Sequence, residues 1–280
     1  MKITKAIVPA AGHGTRFLPY TKAVPKEMVP LLNKPAIQYI VQEIANSGLN
    51  ECIMITASHK QAIAKHFGKA PELEAFLKEK NKLNLLDELN ALIRSVKIDY
   101  INQDEAKGLG HAVARARETI GNEFFGILLP DDIMISAEPG FKQLIDIAQK
   151  ENASVIAVQE VSKESISSYG VIAFDKQLSN DLFQIKTVIE KPAAQNAPSN
   201  LAIIGRYILS PQIFKALDEV SPAANGEIQL TDGIARMIVD GQKVLAYKIQ
   251  GTRHDVGTPV GWLKANFELA QQDPAYKSLF

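Results

Sequence analysis

An α/β fold with a mixed, mainly parallel central sheet and a smaller antiparallel β insertion is predicted by three observations. Apolar runs alternate with helical periods through the first half of the chain, with strand-like segments at 5–9 and 51–56 and a helical one at 35–48 between them. Such β-α-β alternation calls for parallel strands with helices on both faces, a three-layer α/β/α, Rossmann-like arrangement. The middle, 153–209, carries strand after strand and supplies the antiparallel insertion. Finally, 280 residues can bury roughly three quarters of the unfolded surface, enough for one large core.

Strands are predicted at 5–9, 51–56, 96–101, 126–129, 153–161, 169–174, 183–190, 201–209 and 244–249. The first helix is led by Pro35, sets Ile37, Ile40, Val41 and Ile44 on one face, and stops at Gly48, a residue suited to left-handed backbone. Further helices are predicted at 110–119, 141–150, 210–220, 229–240 and 261–270. Ser210-Pro211 reads as an N-cap followed by proline in the first helical position. The segment 72–104, charged and punctuated by leucine, is helical: either a lobe or subunit contact, or a solvated face. Trp262 heads the C-terminal helix as a core or interface residue.

Composition excludes several functions. Lys plus Arg equals Asp plus Glu at 31 each, so there is no electrostatic case for nucleic acid or an acidic membrane surface. No apolar run approaches the ~18 residues of a membrane span. Met1-Lys2 leads directly into a strand, so no signal peptide is expected. The one cysteine, Cys52, lies inside an apolar run and reads as a buried thiol, which makes the cytoplasm the expected compartment.

The most informative segment follows the first strand. Gly12 and Gly14 stand one residue apart, and Arg16, Lys22 and Lys26 come within the next dozen residues. Glycines let backbone N–H groups crowd round one point, and such a nest attracts anions. The loop is not the dinucleotide fingerprint, because Phe17 stands where the third glycine belongs and no acid lies near Asn33 or Lys34. No G-x-x-x-x-G-K-[ST] run occurs either.

The run Gly12-His13-Gly14-Thr15-Arg16, continued by Pro25-Lys26-Glu27-Met28, resembles the signature loop of the sugar-1-phosphate nucleotidyltransferases. With Lys34-Pro35-Ala36-Ile37-Gln38-Tyr39 it is most similar to the bacterial UTP–glucose-1-phosphate uridylyltransferases. Lys107-Gly108-Leu109-Gly110-His111, Leu129-Pro130-Asp131, Val188-Ile189-Glu190-Lys191-Pro192, Gly205-Arg206-Tyr207, Glu227-Ile228-Gln229-Leu230-Thr231-Asp232 and His254-Asp255-Val256-Gly257 extend the resemblance over nearly the whole chain in order. His13 departs from the usual apolar residue and is expected to face solvent. Asn33 replaces a usual Asp, and Val256 a usual Cys.

The resemblance implies transfer of the uridylyl group of UTP to α-D-glucose 1-phosphate in one nucleotidyltransferase domain over 1–280. Its nucleotide-binding part is expected at about 1–135, its sugar-binding part at about 150–260 and its C-terminal helix at about 259–275. Close alternatives are a thymidylyltransferase or a non-catalytic sugar-nucleotide sensor. The resemblance also implies Mg²⁺ on Asp131 and Asp255, and Arg16 and Lys26 on the triphosphate. Lys191 is expected on the phosphate of the sugar and the transferred α-phosphate, Glu190 on the sugar hydroxyls, and Gly170 against the hexose. Both Glu190 and Lys191 reach one ligand only where their strand ends, at Pro192.

Nucleotide contacts are expected from Gly14, Thr15 and Glu27, the last near the base or ribose. Gln103, with one acceptor and two donors, can match uracil, and backbone near Ala11, Gly12 and Gly108 completes that readout. Asp132 stands behind Asp131 as a supporting carboxylate. A homodimer or homotetramer is expected. A phosphate monoester with a second pKa near 6 is already dianionic at neutral pH, so no general base is needed; charge repulsion is the difficulty, and positioning with neutralisation the remedy.

Overall fold

Strand β1 (Ile3–Pro9) runs parallel to β4 (Glu51–Thr56) on one side and β6 (Phe124–Leu128) on the other, so the glycine loop leaves the interior of a parallel sheet. The computed structural model describes residues 1–280. Between β1 and β4 lie the short ladder of β2 (Pro30–Leu31) and β3 (Lys34–Pro35) and the helix α1 (Ala36–Asn46). Then come α2 (Gln61–His66), α3 (Pro71–Glu79), α4 (Asp87–Ser95), β5 (Lys97–Asn102), α5 (Leu109–Ala114) and α6 (Arg117–Ile120). After β6 follow β7 (Asp132–Ile135), α7 (Gly140–Glu151), β8 (Ser154–Glu160), β9 (Gly170–Gln177), β10 (Leu182–Glu190), β11 (Leu201–Leu209) and α8 (Gln212–Asp218). The chain ends with α9 (Leu230–Val239), β12 (Val244–Lys248), β13 (Thr252–Asp255) and α10 (Pro259–Gln272).

Nine strands form one mixed sheet in the order β5-β4-β1-β6-β11-β8-β12-β10-β9. A further pairing, Ala202 with Val171, joins β11 to β9, so the five strands from β8 to β12 close on themselves. The sheet is not mainly parallel: four of its nine pairings are parallel and five antiparallel. Nor are the middle strands an insertion beside the sheet, because β11 and β8 lie at its centre. All nine residues of β11 are buried, and a strand covered on both faces reads as a continuous apolar run without the alternation that would reveal its partners.

Side chains alternate across β1 and build two cores. Ala6 and Val8 join a cluster with α1, α7 and α10, through residues such as Ile37, Ile44, Leu144 and Leu269. Ile7 joins a second cluster with α5, α8 and α9, through Val113, Phe214, Leu217 and Ile234. Gly48, at φ 84°, follows the end of α1 in left-handed backbone as the sequence predicts. Ser210 caps nothing: its hydroxyl is buried without a partner, and α8 opens through backbone bonds to Ser210 and Pro211 carbonyls. The predicted 110–119 helix breaks into α5 and α6, and the 72–104 segment gives up its last residues to β5. Cys52 is fully buried, and no helix is long and apolar enough to cross a membrane.

Candidate active site

A cavity of about 460 Å³ opens where the first strands end and the closed strands begin. Its walls carry twelve of the sequence-predicted site residues: Ala11, Gly12, Arg16, Lys26, Glu27, Gln103, Gly108, Asp131, Gly170, Glu190, Lys191 and Asp255. Gly14 and Thr15 are not among its lining residues. Gly14, at φ 66°, turns the chain into a short 3-10 segment, Thr15–Phe17, and a Cβ there would stand 3.1 Å from the Cβ of Lys26. Its carbonyl accepts a 2.8 Å bond from the Thr21 hydroxyl. Phe17 is buried in the core and anchors the segment. The loop thus uses an aromatic plug where the dinucleotide fold uses a third glycine. His13 is exposed as expected, and it also stacks on His59 with ring centroids 5.3 Å apart.

The two-stranded antiparallel ladder of β7 and β13 assembles the acidic end. Asp255 lies opposite Asp132, and Val256 N–H donates to the Asp131 carbonyl at 2.8 Å. Gly257 leaves a space on which three groups converge. A Cβ built there would stand 3.1 Å from Asp131 Oδ2, 3.1 Å from Asp255 Oδ1 and 3.2 Å from Arg16 Nη1. Arg16 also donates to the Gly257 carbonyl at 3.2 Å.

Lys26 Nζ donates to Asp131 Oδ2 at 2.8 Å. Burial acts against the Lys26 charge, but Asp131, then Glu27, outweigh it and hold its pKa above the ordinary lysine value. Burial likewise pushes Asp131 up, yet Lys26 and Arg16 hold its carboxyl below the usual range. Asp132 behaves oppositely: burial, with Asp131 adding its charge, raises it despite the nearby Arg253. Its side chain turns inward, accepting from Arg253 Nε at 2.5 Å and from the Gly205 amide at 3.0 Å.

At the end of the cavity nearest the glycine loop, Glu27 is only 2% exposed. Both its carboxylate oxygens accept from Lys60 Nζ, each at 2.8 Å. Lys60 was not among the residues the sequence singled out; burial lowers its pKa although Glu27 pulls the other way. Gln103 Nε2 faces the Gly108 carbonyl at 3.3 Å and His111 Nδ1 at 2.8 Å. The amide nitrogen thus has partners within the protein, whereas Oε1 has none. Gly108, at φ 92°, has no room for a side chain: a Cβ would meet the Ile228 carbonyl at 2.7 Å.

At the other end, β10 stops at Glu190, and Lys191 turns the chain at φ 42° before Pro192. That left-handed step is costly for a non-glycine residue. It lets two consecutive side chains reach one cavity, as the sequence requires. Glu190 accepts from the Thr231 hydroxyl at 3.1 Å, and Lys191 Nζ lies 3.4 Å from the other Glu190 oxygen. Gly170 is paired with Glu190 across β9 and β10, and its missing Cβ would stand 3.0 Å from Thr231 Cγ2.

Residues the sequence reading passed over also line the cavity: Tyr169, Glu227, Gln229, Thr231 and Arg253. Arg253 lies over the Tyr169 ring, 5.0 Å from its centroid. Motif position is the signal the sequence offers, since Glu227, Gln229 and Thr231 fall in the family-like run 227–232 and Arg253 immediately precedes His254.

A loop-borne cation pair, converging carboxylates and a strand-end Glu-Lys pair around one cleft are features of enzymes that bring phosphorylated ligands together. The nucleotidyl transferase family model matches residues 5–272, and the chain belongs to that family. The UTP–glucose-1-phosphate uridylyltransferase of Staphylococcus epidermidis is 48% identical over 273 residues, covering 98% of this chain and 94% of that protein. The Bacillus subtilis enzyme of the same name is also 48% identical, covering 97% of this chain and 92% of its own length. A crystal structure of UDP-glucose pyrophosphorylase complexed with UDP-glucose superposes with a TM-score of 0.89 at 39% identity, covering 97% of this chain and 100% of that one.

Proposed function

We propose that the protein transfers the uridylyl group of UTP to α-D-glucose 1-phosphate, giving UDP-glucose and pyrophosphate. The observation that carries this reading is the placing of Arg16 and Lys26 with Asp131 at one part of a single cleft that also holds Glu190 and Lys191. The names of relatives 48% identical over nearly the full chain support it.

A phosphate oxygen of the sugar ester attacks the UTP α-phosphorus in line. The new P–O bond forms as the bond to the β-phosphate oxygen breaks, and pyrophosphate leaves with that electron pair. Arg16 and Lys26 hold the triphosphate, while Lys191 bridges the sugar phosphate and the transferred group. Glu190 receives sugar hydroxyls above Gly170. Ala11, Gly12 and Gly108 line the nucleotide site, and Gly14 and Thr15 turn the loop that carries Arg16 to it. Gln103 Oε1 accepts from the uracil N3–H, and Glu27, fixed by Lys60, flanks the base or ribose.

Asp131 and Asp255 would hold Mg²⁺. Two carboxylates brought to one side of the cleft supply the hard oxygen donors that such a cation takes together with phosphate oxygens and water. Bound there, it would neutralise phosphate charge.

The architecture reads as a three-layer α/β/α, Rossmann-like fold, since one core lies on each face of β1. Within one domain the nucleotide part spans about 1–135 and the sugar part about 150–260, with the C-terminal helix at about 259–275. Val260, Leu263 and Phe267 form an exposed apolar row on α10 that suits a homodimer or homotetramer. A cytoplasmic setting suits the free Cys52 thiol.

The test is pyrophosphate release from UTP, dTTP, ATP and GTP with glucose 1-phosphate and Mg²⁺. UTP should lead in kcat/KM. A preference for dTTP above about tenfold would overturn the nucleotide assignment, and sugar-nucleotide binding without pyrophosphate release would overturn catalysis.

A further inference from the structure

Arg206 is the largest fully buried side chain in the protein, with an exposure of 0%. It stands on β11, opposite the end of β6, and uses every donor of its guanidinium. Nε and Nη2 bind the Glu43 carboxylate of α1, the shortest contact being 2.7 Å. Nη1 donates to the Gly205 carbonyl at 2.9 Å and the Leu129 carbonyl at 3.2 Å. The remaining Nη2 proton goes to the Asp132 carbonyl at 2.6 Å. Glu43 also accepts from the Phe141 amide, at the start of α7, at 2.9 Å.

Two of those carbonyls, Leu129 and Asp132, bracket Asp131. The Asp131 carbonyl itself is taken by Val256 N–H. Asp132 is turned inward onto Gly205, at a point where a Cβ on Gly205 would come within 2.7 Å of its carboxylate. With the backbone fixed before and after Asp131 and its neighbour turned inward, the Asp131 side chain projects into the cavity. A buried ion pair is a poor stabiliser compared with apolar packing of equal volume. What apolar packing cannot supply is five directed donors in a rigid plane.

We infer that Arg206, oriented by Glu43, is a positioning residue: it clamps the 129–132 turn and thereby sets the Asp131 carboxylate where a divalent cation is held. This inference rests on the reading of Asp131 as a metal ligand.

The test compares wild type with Arg206→Met/Glu43→Gln, which leaves no buried charge unpaired and keeps an acceptor for Phe141. Arg206→Lys serves as a second variant, keeping the charge but losing the planar fork. Three readouts are taken: amide exchange of the 129–135 segment, Mn²⁺ affinity of the UDP-glucose complex by electron paramagnetic resonance, and kcat against KM for UTP. Exchange at 129–135 should quicken about tenfold relative to the other strands. Mn²⁺ affinity should fall about tenfold to a hundredfold, with kcat lowered and KM for UTP within about threefold. Unchanged exchange, or quickened exchange with unchanged Mn²⁺ affinity, would overturn the inference. Asp131→Asn is measured alongside. If it alone binds Mn²⁺ as the wild type does, the metal assignment fails, and exchange at 129–135 then decides the clamp.

Discussion

Lys26 Nζ lies 2.8 Å from Asp131 Oδ2, across 105 positions of sequence. The pair joins the glycine loop to the acidic turn, so the sites proposed for the triphosphate and the metal share an atom-to-atom contact. Lys26→Ala is expected to lower kcat/KM by about 10²- to 10³-fold, the usual cost of one lost charge-stabilising donor. Asp131→Asn should instead raise the Mg²⁺ concentration for half-maximal rate by about tenfold or more. Rate measurements across a Mg²⁺ titration separate the two, and an Asp131→Asn titration curve matching wild type would contradict its assignment.

Lys191 sits in left-handed backbone at the strand end, where its side chain is 59% exposed and its ammonium lies 3.4 Å from Glu190. Lys191→Ala should leave KM for UTP within about threefold and cut kcat about a hundredfold. A turnover number equal to wild type would remove Lys191 from the reaction.

Gly170→Ala brings a methyl to 3.0 Å from Thr231 and 3.2 Å from the Glu190 carboxylate. The expected result is a KM for glucose 1-phosphate raised about tenfold with KM for UTP unchanged, since one misplaced group in a polar sugar pocket is worth ~1–2 kcal/mol. Steady-state kinetics with each substrate varied in turn tests it. Equal effects on both substrates would place Gly170 outside the sugar site.

The Glu27–Lys60 pair has side chains 1% and 2% exposed. Glu27→Gln strands a buried ammonium and should cost about 3–5 kcal/mol of stability, whereas Glu27→Gln with Lys60→Met should recover most of it. Urea unfolding of the two variants gives the comparison, and a double variant no more stable than the single one would refute the coupling.

Burial, aided by the charge of Asp99, pushes the Cys52 thiol up to about 12. At pH 8 almost no thiolate exists in the native protein, so disulfide-exchange reagents should react at least about a hundredfold more slowly than with a free thiol near 8.5. Unfolding in urea should restore the ordinary rate.

Much of this arrangement is legible in sequence because it is local. The strands 51–56 and 201–209 run to the residues predicted, and Gly48 ends α1 in the backbone its lack of a Cβ permits. Lys191 bends the chain where Pro192 suggests. What escapes is long-range. β7 and β13 are four residues each and meet across more than a hundred positions, with no turn signal to announce the pairing. The contacts of the Gln103 amide nitrogen depend on His111 and Gly108 turning toward it. Lys60, with His59 beside it, resembles any exposed helix-start cation until Glu27 folds over it. Arg206 sits in an apolar run whose charge makes sense only once Glu43 arrives from α1.

The Ala202–Val171 pairing has a further effect on solubility. It seals β9 at Val171 alone, so the rest of β9, like β5 at the other end of the nine-stranded order, remains an outer margin. Of these margins, β5 is a six-residue ribbon that carries Lys97 and Asp99 two apart, and the open stretch of β9 carries Asp175 and Lys176. Charges on such a ribbon discourage neighbouring molecules from zipping onto it. Both ends of the sheet are thus guarded against self-adhesion by ionised side chains.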